Sequence, residues 1–434
     1  STDVSTSIDE NTADNKITIT GSDVDDEDIT YILVSGPSNG SLASFPTNAF
    51  STPYDALYTP NQDWYGIDTF TYKVNDGSLD SNTSTATITV NAGSFGITYG
   101  IDSNHETSYA TIATSDGGVV VAGYRYYTDW LAVKFDSGGS KEWEYTTSSS
   151  DDGVYRAIEA SDGGIILAGT RAGKATIIKL DSSGNEVFSN SDLEGSIYGL
   201  KEDSSGNIYT CGFQTADGTR SGSLTKLDSN GNLLWNKTYR KYSSNNEYVE
   251  GFVVHSDQSI TAVGYGQNAS NNFWMFNVDS SGNASNMTFV ALDAFEGYPK
   301  SAELLSNGNI NIVLDFEQIV EVSTDFSIVS SIDLSPGADA RFSGMEPTSD
   351  GGYIGVGRLN NSSTSSVDDG YFIKYNSSGT AEITKNISTT RRDFFNSVDI
   401  ISSGGYYFGG WSRGDDGDWD IYLVKVDDQG NRIF

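Results

Sequence analysis

Three acidic side chains alternate with other residues near the start of the chain, at Asp23, Asp25 and Glu27. Calcium binds about six to eight oxygen atoms, mostly from carboxylates and backbone carbonyls, and loops with alternating acids commonly supply them. The spacing therefore predicts a calcium-binding loop over residues 23–27. An acidic turn that is merely hydrated is the alternative, and the spacing alone leaves both interpretations open.

Other residue types that carry chemistry are scarce. The chain has one cysteine, Cys211, and two histidines, His105 and His255. A single cysteine excludes a disulfide framework and a cysteine-rich metal site, and two histidines leave little for histidine-based catalysis. The sequence also has no phosphate-binding loop and no His-x-x-His pattern. We therefore expect a protein without enzymatic activity.

The charge of the chain excludes several classes of partner. Its 434 residues include 59 acidic and 25 basic side chains, for a net charge of −34 at pH 7. Phosphate binding needs clustered Lys and Arg, so we expect no nucleic-acid partner, and an anionic membrane surface is equally unfavourable. No run of about 18 apolar residues predicts a membrane span, and the first residues predict no signal peptide.

Short β-type runs separated by Gly, Asp, Asn and Ser predict an all-β protein, and from about residue 110 these runs repeat. One turn recurs every 43 to 53 residues, and four of its seven copies begin with Ser-Asp. The copies occupy residues 115–118, 161–164, 204–207, 256–259, 306–309, 349–352 and 402–405. A second turn of the type Asp-x-x-Gly-Asn follows most copies, as at residues 181–185. Two hairpin turns per repeat give four strands, the unit of a β-propeller blade.

The repeats predict a seven-bladed β-propeller over residues 94–434. The chain reaches Phe434 where the outermost strand of the last blade is due, and a β-type segment precedes the first repeat. We therefore expect residues 95–100 to supply that strand and to close the propeller, because such closure removes open sheet edges. Residues 1–93 lack the repeat and predict a separate β-sandwich of immunoglobulin-like size.

The first region resembles the cadherin-like, Ig-like tandem modules of large secreted bacterial surface proteins. The resemblance rests on an acidic segment and on a series of strand and turn motifs. They are Ser22-Asp-Val-Asp-Asp-Glu-Asp-Ile-Thr-Tyr31, Ser35-Gly-Pro-Ser-Asn-Gly-Ser-Leu42, Tyr65-Gly-Ile-Asp-Thr-Phe-Thr-Tyr72, Val74-Asn-Asp-Gly77 and Ala86-Thr-Ile-Thr-Val90. The resemblance implies a spacer stiffened by structural calcium, with Glu10 and Asp76 joining the acidic loop as ligands. Glu27 stands where the family usually has Asp, and Asp26 where it often has Gly.

The second region resembles secreted bacterial propeller repeats that read roughly "SDGGYIVAG…LVKLDSNGN". The resemblance covers residues 95–434 and implies the fold, whereas propellers serve many functions. Cys211 takes the place of Ala122 and Ala168 in other repeats, so we expect a small buried residue. Aromatic side chains follow the second turn at similar offsets and predict packing between blades rather than a quinone site. They are Trp143, Phe188, Trp235 and Phe434.

Variable segments between strands are the candidates for recognition, because aromatic and amide-rich loops suit sugars or protein partners. They are residues 124–130, with Trp130, residues 240–246 and residues 360–364. The densest acidic segment, residues 414–420, predicts a surface loop, with or without a bound cation.

These observations predict a non-catalytic extracellular protein in which an Ig-like spacer presents a propeller head. The head would bind a protein, a glycan or another copy of the chain on a cell surface, a filament or a virion. A lectin-like propeller is the alternative, and a glycan-active enzyme is the third hypothesis. The enzyme would need paired carboxylates or a Tyr/His/Arg cluster in the central channel, and the sequence shows no such set.

Overall fold

The computed structural model of the chain describes strands and turns, and it has no helix among the residues it describes. These residues are 1–9, 12–24, 29–43, 45, 49–50, 53–61, 64, 66–91, 96–100, 105–125, 129–147, 153–216, 218–241, 246–266, 272–291, 297–315, 317–334, 340–360, 368–387, 392–413 and 417–434. The all-β class predicted from the sequence is confirmed. No described segment is a helix long and apolar enough to cross a membrane. The chain divides into two compact units, Ser1–Phe95 and Gly96–Phe434.

Unit 1 consists of two sheets. Its strands are β1 (Val4–Asp9), β2 (Asn15–Ile19), β3 (Ile29–Ser35), β4 (Gly40–Leu42), β5 (Ala49–Phe50), β6 (Tyr54–Pro60), β7 (Gly66–Asn75) and β8 (Ser84–Asn91). A five-stranded sheet has the order β1-β8-β7-β3-β5, and a three-stranded sheet has the order β2-β6-β4. Strand β1 pairs in parallel with β8, whereas the other pairs are antiparallel.

The core of unit 1 follows from the period of two in its strands. Along β7, Phe70, Tyr72 and Val74 are buried on one face and pack with Ile17 and Ile19 of β2. Each fully buried aromatic side chain contributes about 2–3 kcal/mol through the hydrophobic effect. The same face of β7 carries a buried carboxylate, and its partners hold the connection between β3 and β4.

That carboxylate is Asp68, which is 3% exposed. It accepts hydrogen bonds from the backbone N–H groups of Ser38 (3.0 Å) and Asn39 (2.9 Å) and from the Tyr58 hydroxyl (2.9 Å). Burial raises the pKa of Tyr58, and the hydrogen bond to Asp68 raises it further. A buried charge is tolerated only with such partners, so Asp68 fixes the path of the chain here.

Unit 2 contains β9 (Ile97–Tyr99) and seven four-stranded antiparallel sheets among its described residues, numbered here in chain order. Sheet 1 contains β10 (Glu106–Ala113), β11 (Val119–Arg125), β12 (Asp129–Phe135) and β13 (Lys141–Thr146). Sheet 2 contains β14 (Gly153–Glu159), β15 (Ile165–Arg171), β16 (Lys174–Leu180) and β17 (Glu186–Leu193). Sheet 3 contains β18 (Ser196–Glu202), β19 (Ile208–Ala216), β20 (Thr219–Leu227) and β21 (Leu233–Tyr239). Sheet 4 contains β22 (Glu247–Val254), β23 (Ile260–Gly266), β24 (Asn272–Val278) and β25 (Ala284–Ala291). Sheet 5 contains β26 (Pro299–Leu304), β27 (Ile310–Leu314), β28 (Gln318–Val322) and β29 (Ile328–Asp333). Sheet 6 contains β30 (Ala340–Pro347), β31 (Tyr353–Asn360), β32 (Asp368–Tyr375) and β33 (Ala381–Ile387). Sheet 7 contains β34 (Asp393–Ile400), β35 (Tyr406–Arg413) and β36 (Trp419–Val426), with β9 as its fourth strand.

The second turn of most repeats owes its shape to an aspartate and a glycine. In sheet 2, the Asp181 carboxylate accepts hydrogen bonds from the backbone N–H groups of Ser183 and Asn185, both at 2.9 Å. Gly184 has a φ of 82°, a conformation that glycine adopts without strain. These hydrogen bonds lower the pKa of Asp181, with the Asn185 backbone contributing most. The turn chemistry expected from the sequence is therefore present.

Neighbouring sheets pack through the side chains that follow these turns. The rings of Trp143, Phe188 and Trp235 lie against the turn glycines of the next sheet, which are Gly184, Gly231 and Gly282. Ile332 lies in the same way against Gly379. Trp143 and Trp235 also donate hydrogen bonds to turn carbonyls at 3.0 and 3.1 Å. Packing between sheets therefore explains these aromatic positions.

Sheet 7 combines the two ends of unit 2, because β9 pairs antiparallel with β36. Sheet 7 also contacts sheet 1. Ala113 N–H donates to the Asp399 carboxylate (2.8 Å), and the Tyr407 hydroxyl donates to Gly117 O (2.9 Å). Phe434 lies beside Gly139 of sheet 1.

Candidate functional site

The residues expected to bind calcium are only partly described. Glu10, Asp25 and Glu27 lie outside the described residues. Asp76 lies in the turn after β7, where its Oδ1 accepts hydrogen bonds from the backbone N–H groups of Ser78 and Leu79, both at 2.7 Å. These bonds lower the pKa of Asp76. Asp23 is half-buried. The described part of the chain contains no group of three or more Asp, Glu, His or Cys side chains arranged to hold a metal.

The reactive residue types have structural surroundings. Cys211 is buried in β19, as expected, and burial raises the pKa of its thiol. The Nε2 atom of His255 lies 2.9 Å from the Thr261 hydroxyl. His105 Nδ1 accepts the backbone N–H of Trp419 at 3.2 Å and lies 3.7 Å from the Asp418 carboxylate.

Trp130 differs from the expectation that it belongs to a recognition loop. It lies in β12 with none of its surface exposed, and its indole N–H donates to Thr170 O at 2.7 Å. The period of two in β12 turns this ring into the packing between sheets 1 and 2. Residues 126–128, 242–245 and 361–364 of the variable segments lie outside the described residues, as do residues 414–416 of the acidic segment.

The first strand of every four-stranded sheet described in unit 2 carries the same kind of irregularity. Each first strand carries one extra residue relative to its neighbour, which is a β-bulge. The extra residues are Tyr109, Tyr155, Tyr198, Glu250, Lys300, Ser343 and Asn396. All seven line one of two adjoining cavities, with volumes of about 740 and 180 Å³. We call these two cavities together the channel.

Charged side chains from several sheets converge on the channel. Arg156 of β14, Lys300 of β26 and Glu346 of β30 line both cavities, so they mark where the cavities meet. Lys201 of β18 and Glu250 of β22 line the larger one. Because these strands belong to five sheets, their side chains are far apart in sequence.

Two of the basic side chains are paired. Lys201 Nζ lies 2.8 Å from the carboxylate of Glu303, which connects sheets 3 and 5. Lys300 Nζ lies 3.5 Å from the carboxylate of Asp315. These pairs bring no net charge to the channel.

Two carboxyl groups in the channel have no hydrogen bond or ion pair with any described residue. Glu250 is 9% exposed, and burial raises its pKa to about 7. Burial also raises the pKa of Glu346 to about 8, and the nearby carboxylates of Asp399 and Glu303 raise it further. Burial raises the pKa of Asp399 to about 6. Carboxyl groups that hold protons near neutral pH are typical of functional sites, although buried structural groups also show such shifts.

Arg156 lies between these carboxyl groups. Its guanidinium interacts electrostatically with both Glu250 and Glu346, and its Nη1 donates to Tyr155 O at 2.8 Å. The Arg156 side chain is exposed to solvent, yet the protein atoms around it partly desolvate the guanidinium and lower its pKa. Arginine stays protonated in proteins, so a positive charge is always present in the channel.

Aromatic rings border the same cavities. The Tyr109 and Tyr155 rings are 5.8 Å apart, and Tyr155 is 37% exposed. Tyr198 contacts Phe213 at 5.7 Å and Tyr248 at 6.4 Å between ring centroids. Rings beside charged and hydroxyl-accepting groups can contact the apolar face of a sugar ring or the side chains of a protein.

A second aromatic group lies in sheet 7. Trp411 stacks with Phe394 at 5.6 Å and with Trp419 at 4.9 Å between ring centroids. The Arg358 guanidinium lies 5.6 Å from the Phe394 ring centroid. This group is half-buried, so it offers less free ring surface than Tyr155.

The channel residues were missed by sequence reasoning, which expected no charged or aromatic set there. Two positions before the turns carried the available signal. Three residues before the turn, Lys201, Glu303 and Glu346 replace the apolar residues of three other repeats, and five residues before it, Arg156 replaces the Ala, Gly or Ser of the others. The bulges hid this signal, because an extra residue shifts the alternation of inward and outward side chains.

Comparisons with known proteins agree with this division of the chain. The model of the bacterial Ig domain family matches residues 1–91. No curated protein sequence matches the chain.

Solved structures similar to the chain include propellers and lyases. A streptogramin B lyase is 16% identical, with a TM-score of 0.51, and the match covers 76% of this chain and 97% of that one. The WD40 β-propeller domain of Doa1 is 10% identical, with a TM-score of 0.50 and coverage of 76% and 95%. An inactive virginiamycin B lyase from Staphylococcus aureus, solved with quinupristin, is 13% identical, with a TM-score of 0.51 and coverage of 75% and 98%. At these identities the likeness shows the fold alone. The chain thus has an N-terminal region that matches the bacterial Ig domain family, and its likeness to the solved structures shows a β-propeller-like fold.

Proposed function

We propose that the chain is a non-catalytic extracellular adhesive protein, in which the Ig-like unit is a spacer and a closed, seven-bladed propeller is the binding head. Bacterial Ig domains are typical of surface proteins, and residues 1–91 match that family. The seven four-stranded sheets, the pairing of β9 with β36 and the contacts between sheets 7 and 1 support a closed ring.

One observation supports the channel as the binding site. At most of the turns, the repeats keep glycine because the backbone has a positive φ there. At the seven bulge positions, by contrast, the repeats carry Tyr, Glu, Lys, Ser and Asn. A residue with a purely structural role would recur from blade to blade, so this chemical variety favours recognition of a ligand.

A binding assay with the full chain tests this proposal. Fluorescently labelled protein would be applied to a glycan array and to bacterial cells, beside the double variant Tyr155→Ala, Tyr198→Ala. The control is Val187→Ala, which removes an exposed apolar side chain from β17, away from the channel. We expect binding that falls about tenfold or more in the double variant and is unchanged in the control.

Two results would overturn the proposal. One is the absence of binding to both the array and the cells. The other is binding that survives the double variant. Recovered glycans analysed by mass spectrometry should be intact, and cleaved glycans would instead support the enzyme hypothesis.

The spacer retains its predicted calcium site as a separate part of the proposal. Asp23, Asp25 and Glu27 would supply carboxylates, with Glu10 and Asp76 as further ligands. Asp76 Oδ2 makes no hydrogen bond with a described residue, so one of its oxygens remains available. The role of calcium would be to stiffen unit 1.

A further inference from the structure

We propose that the channel binds a sugar that carries a carboxylate, of the uronic acid class, and that Arg156 is the anchor for that carboxylate. This inference rests on the proposed function, because it names the ligand of the propeller head.

The first argument is that Arg156 has no anionic partner. No described carboxylate forms an ion pair with it, and the one hydrogen bond that it donates goes to the carbonyl of Tyr155. The Arg156 side chain lines a cavity of about 740 Å³. A guanidinium crowded by protein is stabilised by an anion, and its planar fork matches both oxygens of a carboxylate.

The second argument concerns the charges around Arg156. Lys201 pairs with Glu303, and Lys300 pairs with Asp315. Glu159 and Glu202 of the larger cavity accept backbone N–H groups, from Ser115 (2.8 Å) and Ser161 (2.7 Å). Asp399, close to the channel but not among its lining residues, accepts the N–H of Ala113 (2.8 Å). Only Glu250 and Glu346 remain without partners among the described residues that line the channel.

These two carboxyl groups set the sign of the charge next to Arg156. Their raised pKa values mean that both hold protons below about pH 7, so the region around Arg156 is positive there. Above about pH 8 both are ionised, and the region becomes negative. A carboxylate ligand is therefore attracted at low pH and repelled at high pH. A cationic ligand would show the opposite dependence.

The third argument favours a sugar over a small carboxylic acid. Tyr155 lines the smaller cavity and Tyr198 the larger one, and Arg156 lies where the two meet, so both rings offer apolar surface to a sugar ring. Glu250 and Glu346 offer donors and acceptors for hydroxyl groups. The cavity also falls within the range of pockets that enclose small ligands, about 300–1,000 Å³.

Isothermal titration calorimetry with the full chain tests the inference. The probes are digalacturonic acid, the neutral galactobiose of similar size, and acetate, each at pH 6 and pH 8.5. We expect digalacturonic acid to bind at least about tenfold more tightly than galactobiose at pH 6, because hydrogen bonds between charged groups are stronger than those of neutral hydroxyl groups. We also expect weaker binding at pH 8.5 and no detectable binding of acetate.

Variants separate Arg156 from a general charge effect. Arg156→Gln should lose this preference, whereas Lys237→Gln, which removes an exposed positive charge from β21, should keep it. Arg156→Lys keeps the charge without the planar fork and should bind with intermediate affinity, which also covers the case in which Arg156→Gln fails to fold. Glu250→Gln with Glu346→Gln should show a much smaller difference in affinity between the two pH values.

Three results would overturn the inference: equal affinity for the neutral sugar, full binding by Arg156→Gln, or tighter binding at pH 8.5 than at pH 6. If neutral glycans bind and uronates do not, this inference fails while the proposed function stands. If none of the three probes binds, this inference fails, and the glycan array and the cells decide the proposed function separately.

Discussion

The indole of Trp143 in sheet 1 lies flat against Gly184 in the second turn of sheet 2. A Cβ atom built on Gly184 would be 2.7 Å from Cδ2 of this ring, closer than van der Waals contact allows. Trp143 Nε1 also donates to Ser182 O at 3.0 Å. The contact explains why one turn position must be glycine for two reasons, the backbone conformation and the neighbouring ring.

Gly184→Ala should therefore destabilise unit 2 by about 2–3 kcal/mol, because strain at positive φ adds to a clash with Trp143. The control is Gly163→Ala, which has the same turn hydrogen bonding and a φ of 79° but nothing within 4 Å of the added Cβ. It should cost only about 1 kcal/mol. Urea unfolding monitored by tryptophan fluorescence measures both values. Equal losses would show that the ring contact contributes nothing.

The buried carboxyl groups of the channel predict a dependence of stability on pH. The pKa of Glu346 is raised to about 8 in the folded protein. Folding therefore takes up a proton at pH values between the ordinary pKa of a glutamate and about 8. Stability from this group is present below about pH 4.5 and is lost as the pH rises through 8.

Glu346→Gln should consequently stabilise unit 2 at pH 8.5 by about 1–2 kcal/mol, a value that includes screening by water in the channel. At pH 4.5 the same substitution should have little effect on the free energy of unfolding. Asp192→Asn, a change at an exposed position in β17, is the control and should change the pH profile little. Urea unfolding at pH 4.5, 6.5 and 8.5 provides the comparison. A constant difference between Glu346→Gln and the parent at all three pH values would contradict the prediction.

Calcium should raise the unfolding temperature of unit 1. At a concentration about 100 times the Kd, a ligand of the folded state alone adds about 2.7 kcal/mol. Differential scanning calorimetry of the full chain, in calcium and then in chelator, would detect the change. Asp25→Asn should remove the response, and Asp14→Asn, an exposed position at positive φ, should leave it unchanged. An unfolding temperature that is the same in calcium and in chelator would rule out the site.

Cys211 should not react with iodoacetamide in the folded protein at pH 8. Its thiol is buried, and burial raises its pKa, so the reactive thiolate is not populated. Reaction should appear only with unfolding in urea, as followed by mass spectrometry. Cys211→Ala should fold and cost about 1 kcal/mol, because alanine occupies the equivalent positions at Ala122 and Ala168. Complete labelling of the native chain within minutes would contradict this prediction.

The sequence by itself determined the elements and their repetition. The Asp181 and Gly184 turn follows from local chemistry, because an aspartate caps the turn and glycine accepts a positive φ without help from distant residues. The positions of Trp143 and Cys211 could likewise be assigned by comparing one repeat with the next.

Only the tertiary structure decided what the channel contains. Arg156, Glu250 and Glu346 come from three sheets and lie 94 and 96 residues apart along the chain, and no local rule relates them. The bulge in each first strand also shifts which residues face inward, so a strict period of two assigns them to the wrong side. Trp130 was predicted to belong to a recognition loop because it lies beside a loop in sequence. It is buried instead, because β12 turns its ring between two sheets. Turns depend on neighbours in sequence, whereas the lining of the channel depends on how seven separate strands are brought together.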